Sequence, residues 1–302
     1  MRIAITGAAG WLGRYVTAAL EPAHELALID NVAPEDATIF DPSSPTGRKR
    51  APLALNWPYH KVDILDETGL MAALDDIEVV IHLAAWPTGD WKLSRSTMST
   101  NVMGTFNVFE TARALSVRRI VNASSINAFG TFFWRVSNLD PVRRALPLVE
   151  DEPVTPEDPY SLSKAVTELV SATFNRAFGM EAVNLRFAGV WSEQKYADAH
   201  ERGLPATEAW ANDLFQWVHV LDVTQGITRA ALAAKVVPEP ITVAASDTRA
   251  PEPTLDLLAR LRPDLVPYVR EPLGGRASLL SISRARTFLG YDPKFTLDGA
   301  CR

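Results

Sequence analysis

The sequence has a single cysteine, Cys301, among 302 residues, so it can form no internal disulfide and offers no thiol cluster for a structural zinc site. No apolar run approaches the roughly 18 residues of a transmembrane helix. The segment Met1–Ile5 enters a strand directly, without the regions of a signal peptide. Lys and Arg total 30 against 36 acids, which disfavours nucleic-acid binding because phosphates need a basic face. We therefore expect a soluble, cytoplasmic protein without membrane or nucleic-acid partners.

The composition is that of a globular protein, with 47% hydrophobic and 22% charged residues. In the first 125 residues, β-type segments that are apolar on both faces alternate with amphipathic helical segments. The predicted strands are Ile3–Thr6, Glu25–Asp30, His60–Ile64, Val79–Leu83 and Arg119–Ala123. The predicted helices are Leu12–Leu20, Thr68–Leu74, Ser99–Leu115 and Ser161–Phe178. This alternation predicts an α/β fold, a Rossmann-type doubly wound parallel sheet.

The chain length suits one such domain with a small C-terminal substrate lobe. We place the nucleotide-binding domain at residues 1–187, with 217–246 returning to it. Residues 188–216 and 247–302 are assigned to the lobe.

Three glycines, Gly7, Gly10 and Gly13, lie between the first strand and the first helix. In this setting the first glycine permits a tight turn, the second lets backbone N–H groups approach a pyrophosphate, and the third lets the helix pack on the strand. The alternative is an ordinary packed turn. Strand before and helix after favour a dinucleotide site.

Asp30 ends the second predicted strand, where a carboxylate accepts hydrogen bonds from the adenosine ribose and repels a 2′-phosphate. This favours NAD over NADP. Arg48–Arg50, in a long predicted loop over residues 31–59, would instead neutralise such a phosphate. Asp63 follows the third strand and would either bind the adenine amino group or cap a turn.

Tyr160 and Lys164 stand at positions i and i+4 of a predicted helix and so share one face. At ~4 Å and an effective dielectric near 20, the lysine charge stabilises a phenolate by about 4 kcal/mol before desolvation. That would lower the tyrosine pKa and make Tyr160 a general acid or base. A pair of this kind also arises by chance as two neighbours on a surface helix.

The order of these motifs resembles that of the extended short-chain dehydrogenase/reductase family, the NAD-dependent epimerase/dehydratase group. The resemblance covers nearly the whole chain, and the chain looks like the uronate-type sugar-acid dehydrogenases of this family. Besides the glycine loop and the Tyr–Lys pair, the segments that carry it are Leu83–Ala85, Asn101–Thr105, Ser124–Ser125, Leu185–Phe187, Trp217–Val223 and Ser283–Tyr291.

The resemblance implies roles for individual residues. Ser125, five residues before Gly130, would hydrogen-bond the reacting oxygen, with Ser124 as the alternative. Tyr160 would transfer the proton, and Lys164 would lower its pKa and hold the nicotinamide ribose. Asn101 would support the active-site helix. Phe129 stands where the family usually has tyrosine, so a hydroxyl is lost there.

The full set of expected ligand contacts follows from the same resemblance. The expected NAD-binding residues are Gly7, Ala9, Gly10, Trp11, Leu12, Gly13, Asp30, Asn31, Asp63, Ile64, Leu83, Ala84, Ala85, Asn101, Tyr160 and Lys164. The expected substrate contacts are Trp86, Ser125, Asn127, Trp134, Phe187 and Trp191. No metal site is expected, because neither His82 nor His219 has a partner at ligand spacing.

Four reaction types compete for this site. A dehydrogenase releases NADH, whereas an epimerase retains it and returns the hydride to the other face. A dehydratase usually carries an Asp–Glu pair after the catalytic Ser or Thr, but Ile126 and Asn127 follow Ser125 here. Non-catalytic NAD-sensing members commonly lose the Tyr–Lys pair. We expect NAD-dependent oxidation of a free sugar, sugar acid or similar polyol, with a nucleotide-sugar 4-epimerase as the alternative.

A nucleotide-sugar substrate is disfavoured by two positions. Phe215 replaces an arginine that usually contacts the diphosphate, and Gly189 replaces an asparagine. A substrate carboxylate would find a partner in one of several arginines, between which the sequence does not choose: Arg202, Arg135, Arg143 or Arg144. The helices Ser99–Leu115 and Ser161–Phe178 resemble those that pair in family homodimers.

Overall fold

A parallel sheet of seven strands forms the centre of the computed structural model, which describes residues 1–40, 48–130, 135–137, 145–204 and 212–298. The strands of the molecule are β1 (Arg2–Thr6), β2 (Glu25–Asp30), β3 (Thr38–Phe40), β4 (Arg48–Arg50), β5 (Tyr59–Lys61), β6 (Val79–His82), β7 (Arg119–Ser125), β8 (Glu181–Phe187), β9 (Val190–Trp191), β10 (Val218–His219) and β11 (Ile241–Val243). The helices are α1 (Trp11–Leu20), α2 (Glu67–Ala73), α3 (Ser94–Met98), α4 (Thr105–Ala114), α5 (Pro159–Phe178), α6 (Glu193–Arg202), α7 (Val220–Leu232), α8 (Thr254–Leu261) and α9 (Ser283–Leu289). The main sheet has the order β11–β8–β7–β6–β1–β2–β5.

Hydrophobic side chains cover both faces of this sheet. Ile3 and Ile5 of β1 pack in one buried cluster with Val16 of α1. Ala4, which points the other way, packs in a second cluster with Phe109 of α4. Because successive residues of a strand face opposite sides, a sheet buried on both faces needs apolar residues at nearly every position. The predicted doubly wound Rossmann-type fold is confirmed.

The predicted elements agree with the structure except at some boundaries. The third predicted strand, His60–Ile64, is a shorter strand at Tyr59–Lys61. The helix predicted over Ser99–Leu115 is interrupted by a π-helical turn at Ser99–Gly104. A Cβ on Gly104 would lie 2.4 Å from Cδ1 of Ile64, so the glycine lets that side chain pack directly on the helix backbone.

The predicted loop 31–59 contains an antiparallel hairpin of β3 and β4, a structure that the sequence did not indicate. Arg14 of α1 fastens the chain after this hairpin, since its guanidinium donates to the carbonyl oxygens of Ala51 and Pro52 and to that of Ala9. The hairpin is thereby held beside the glycine loop.

The C-terminal part of the chain is divided between the sheet and a smaller cluster. Strand β11 joins the main sheet beside β8, and α7 packs on it. Trp191, Trp217, Tyr196 and Phe295 form a separate aromatic cluster. The exact division into domain and lobe stays a prediction. No helix in the described part of the chain is long and apolar enough to cross a membrane.

Candidate active site

A cleft of about 680 Å³ opens at the carboxyl ends of β1, β2 and β6, the edge at which doubly wound sheets bind ligands. Most residues predicted to contact NAD line it, together with one predicted substrate contact: Gly7, Ala9, Gly10, Trp11, Asp30, Asn31, Asp63, Ile64, Leu83, Ala84, Ala85 and Trp86. Sequence reasoning missed others, several of them on the hairpin side: Ile29, Val32, Thr38, Ile39, Arg48, Val62, Pro87 and Thr100.

The glycine loop has the geometry that its sequence predicts. Gly7 has a positive φ of 72°, and a Cβ there would lie 2.8 Å from the backbone nitrogen of Ala84. At Gly13 a Cβ would lie 2.4 Å from the Gly7 oxygen, so only glycine lets α1 approach β1 this closely. The N-terminus of α1 consequently faces the cleft, with its partial positive charge available to an anion.

Asp30 is placed to hold this loop and to face a ligand. Its carboxylate accepts hydrogen bonds from the backbone N–H of Ala9 (3.0 Å) and of Val32 (3.4 Å). Burial raises the pKa of the Asp30 carboxyl, and these N–H groups oppose the shift. Asp63 lies two residues beyond β5 and accepts hydrogen bonds from the Asn31 amide (3.3 Å) and the Leu65 N–H (2.9 Å).

Ser125, Tyr160 and Lys164 meet beyond the carboxyl end of β7. The Asp158 side chain caps α5 by accepting from the Tyr160 and Ser161 N–H groups, both at 2.9 Å, which fixes the first turn that carries the tyrosine. Tyr160 is hydrogen-bonded to the Ser125 side chain. The Lys164 ammonium lies 5.7 Å from the centre of the Tyr160 ring.

The Tyr160 pKa is raised, not lowered as the sequence led us to expect. Burial raises the pKa of Tyr160 to about 12, although the hydrogen bond with Ser125 opposes it. Lys164 donates to the Ala123 carbonyl oxygen at 2.7 Å, and burial lowers its pKa to about 8. Desolvation of the phenolate therefore outweighs the attraction that the i, i+4 spacing suggests.

The two candidate serines are distinguished by their partners. Ser124 donates to the Glu168 carboxylate at 2.5 Å. That carboxylate also receives two hydrogen bonds from Arg186, at 2.9 and 2.8 Å, in an ion pair that is almost fully buried. Ser124 is thus committed to a structural network, which the sequence did not indicate, and Ser125 is the serine beside Tyr160.

Asn101 holds the wall of the cleft. Its side chain exchanges hydrogen bonds with the backbone of Trp86 (2.7 and 3.1 Å) and donates to the Ser163 hydroxyl (2.9 Å). It thereby links α5 to the segment after β6, and the role expected for it in the active site stays a prediction.

The two histidines set aside above have structural partners. His82 lies between the Thr6 and Thr105 hydroxyls, at 2.7 and 2.9 Å, and burial lowers its pKa to about 3. His219 caps α7 by accepting from the Leu221 N–H. No group of three or more potential metal ligands occurs among the described residues.

The expected substrate contacts occupy different environments. Phe187 is the parallel-sheet partner of Ser125, and Trp86 is 43% exposed on the cleft wall. The Asn127 side-chain oxygen is buried without a partner in the described residues. Trp191 is buried against Trp217. The remaining expected contact, Trp134, lies outside the described residues. The same is true of Arg143 and Arg144, two of the candidate partners for a substrate carboxylate.

Comparison with known proteins defines the class. The model of the NAD dependent epimerase/dehydratase family matches residues 3–244, and the chain belongs to this family. It is an enzyme of the extended short-chain dehydrogenase/reductase type, and NAD is its cofactor.

The relatives of the chain include sugar and sugar-acid dehydrogenases, epimerases and a dehydratase. The chain is 28% identical over 245 residues to L-arabinose 1-dehydrogenase (NAD(P)(+)) of Haloferax volcanii, covering 77% of this chain and 83% of that protein. It is 26% identical over 188 residues to uronate dehydrogenase of Pseudomonas putida, covering 61% and 59% respectively. Its fold matches UDP-glucose 4-epimerase of Thermus thermophilus in complex with NAD, with a TM-score of 0.66, 24% identity and coverage of 100% and 97%.

The residues of the cleft fit the cofactor. The glycine loop and the first turn of α1 line the cleft, and a Cβ on Gly10 would meet only the Gly7 oxygen, at 3.1 Å, so the backbone there is open to a pyrophosphate. Asp30 supplies the carboxylate expected at a ribose, and Tyr160 and Lys164 lie at the carboxyl end of the neighbouring β7.

Proposed function

We propose that this protein is an NAD-dependent dehydrogenase that oxidises a secondary alcohol of a free sugar, sugar acid or similar polyol. The observation that carries the proposal is the grouping of Ser125, Tyr160 and Lys164 at the carboxyl end of β7, beside the cleft that fits NAD. The arabinose and uronate dehydrogenases among its relatives support a small carbohydrate substrate.

In this proposal Ser125 and Tyr160 hold the substrate hydroxyl, and the Tyr160 oxygen accepts its proton as the carbonyl forms. NAD, when bound in the cleft, would supply the hydride acceptor for the same carbon. Lys164, which donates to the Ala123 carbonyl in this structure, stabilises the phenolate form of Tyr160.

A nucleotide-sugar substrate is disfavoured by the surroundings of Phe215. Its side chain is fully buried in the core, where it contacts no solvent and offers no charge to a phosphate. At Gly189, the second altered position, the backbone N–H donates a hydrogen bond to the Gln216 side-chain oxygen. Loss of a charge-assisted contact to a diphosphate would weaken such a ligand substantially.

The test is incubation of the purified protein with NAD and a panel of aldoses, uronic acids, polyols and nucleotide sugars, followed by the absorbance of NADH. Sustained NADH formation with a free sugar or sugar acid is the expected result. Isomer formation from a nucleotide sugar, without net NADH, would replace the proposal with the epimerase. Calorimetric titration with UDP, GDP and dTDP is the companion measurement, and micromolar binding competitive with substrate would contradict the proposal.

We also propose that the chain forms homodimers through α4, α5 and the preceding π-helical turn. Several apolar side chains on these elements are 38–61% exposed, which is typical of an interface. They are Met103, Phe106, Leu162, Leu169 and Phe178. Light scattering of the protein and of Leu169→Lys is the test, with a dimer and a monomer expected respectively. A cytoplasmic location is proposed from the single cysteine and is checked by cell fractionation.

A further inference from the structure

Two buried hydrogen-bond donors near β9 have no acceptor among the described residues. The Trp191 indole N–H and the Gln216 amide NH₂ belong to side chains that are each 2% exposed, and neither nitrogen has a partner in the described residues. The Gln216 side-chain oxygen accepts from the Gly189 N–H, which fixes the orientation of the amide. Buried donors are rarely left unpaired, so these two nitrogens indicate a ligand.

A positive charge accompanies the two donors. The Lys195 ammonium lies 4.5 Å from the centre of the Trp191 ring, and no carboxylate of the described residues lies within ion-pair distance of it. Burial lowers the pKa of Lys195 to about 8, and the charge of the nearby Arg249 contributes to this shift. Arg249 is itself paired with Asp213.

The acids closest to Lys195 in sequence are engaged elsewhere. Glu193 accepts a hydrogen bond from the Tyr15 hydroxyl at 2.7 Å, and Asp198 accepts one from Gln194 at 2.8 Å. Lys195 and Trp191 therefore bring a cation and an unpaired donor together. The second donor belongs to the same segment, since Gln216 Nε2 would lie 3.4 Å from a Cβ on Gly189, two residues before Trp191.

A short stretch of chain connects this group to the catalytic centre. Phe187 pairs with Ser125, and Trp191 follows Phe187 by only four residues, at most ~14 Å of extended chain. On the other side, the bond between Glu193 and Tyr15 joins the start of α6 to α1, whose first turn borders the cleft.

We propose that Lys195, Trp191 and Gln216 form an anion subsite that binds an oxyanion, a carboxylate or a phosphate, carried by the sugar. Unpaired donors beside an uncompensated cation match an acceptor-only group better than a hydroxyl, which brings a proton of its own. The inference rests on the proposed function and narrows it: sugar acids or sugar phosphates are oxidised in preference to neutral sugars.

The test compares sugars that differ only in the group at C6, which is neutral or anionic: galactose with galacturonate, and glucose with glucuronate and glucose 6-phosphate. We expect kcat/KM to be higher for an anionic member by about 10- to 100-fold, the range of a charge-assisted hydrogen bond. The two anionic arms distinguish carboxylate from phosphate. Equal kcat/KM for neutral and anionic sugars would overturn the subsite while leaving the dehydrogenase proposal intact.

Variants of Lys195 test whether this residue causes the preference for anionic sugars. Lys195→Gln should raise KM for the anionic sugar and leave kcat and NAD affinity nearly unchanged, and Lys195→Arg should restore much of the loss. Lys235→Gln, at an exposed position on another side of the molecule, is the matched control. Weaker NAD binding in Lys195→Gln, or unchanged KM, would overturn the inference.

A direct binding measurement keeps the inference testable if no sugar is oxidised. NAD-loaded protein is titrated calorimetrically with glucuronate and with glucose 6-phosphate. Binding that Lys195→Gln abolishes supports the subsite even though the dehydrogenase proposal has failed. Absence of binding in the wild-type protein overturns the subsite.

Discussion

Replacing Tyr160 by phenylalanine removes one oxygen from the proposed site and little else. The ring remains beside Lys164, while the hydrogen bond with Ser125 is lost. General acid–base catalysis contributes about 10²–10⁴ in rate, so kcat should fall by that factor, equivalent to ~3–5 kcal/mol. The free energy of unfolding should change by only about 0.5–1.5 kcal/mol, the net value of one hydrogen bond.

The assay is NADH formation under saturating substrate, with NAD affinity and chemical denaturation measured on the same samples. Tyr291→Phe is the matched control, since its buried hydroxyl donates to the Ala244 carbonyl oxygen at 3.0 Å, away from the cleft. It should lose similar stability and keep its kcat. Wild-type turnover in Tyr160→Phe, with NAD binding intact, would remove Tyr160 from the mechanism.

Three further predictions concern other residues. His82 is neutral in the folded protein, where burial lowers its pKa to about 3. The free energy of unfolding should therefore fall by ~1.4 kcal/mol for each pH unit below about 6.5. In acid denaturation, His82→Gln should flatten that slope. Glu168→Gln leaves Arg186 buried without its counter-ion and should cost about 3–5 kcal/mol in urea unfolding, whereas Glu110→Gln, on the surface, should leave the midpoint unchanged. Asp30→Ala removes like-charge repulsion and should raise the NADP to NAD ratio of kcat/KM by ~10-fold or more; wild-type preference for NADP would contradict the ribose assignment.

The sequence predicted the sheet and the nucleotide loop because both depend on local patterns. Strands buried on both faces are apolar throughout, and Gly7 and Gly13 occupy positions where a Cβ would collide with backbone. The hairpin of β3 and β4 was missed because its strands have three residues each, and those of β4 are all charged.

Contacts between distant segments could not be predicted from the sequence. The buried pair of Glu168 and Arg186 is 18 residues apart, and Gln216 meets Gly189 across 27 residues, with no spacing that marks either. The pKa of Tyr160 was predicted in the wrong direction, because helix spacing places Lys164 nearby but does not report the desolvation of the phenol.

The central claim is that hydride leaves the sugar and departs with the released cofactor. It is tested most directly with a substrate deuterated at the carbon that is oxidised, followed by mass spectrometry of the nicotinamide and sugar pools. The account predicts deuterium in free NADH, one equivalent for each oxidised sugar. Deuterium retained in an isomerised sugar, with no labelled NADH in solution, would contradict it.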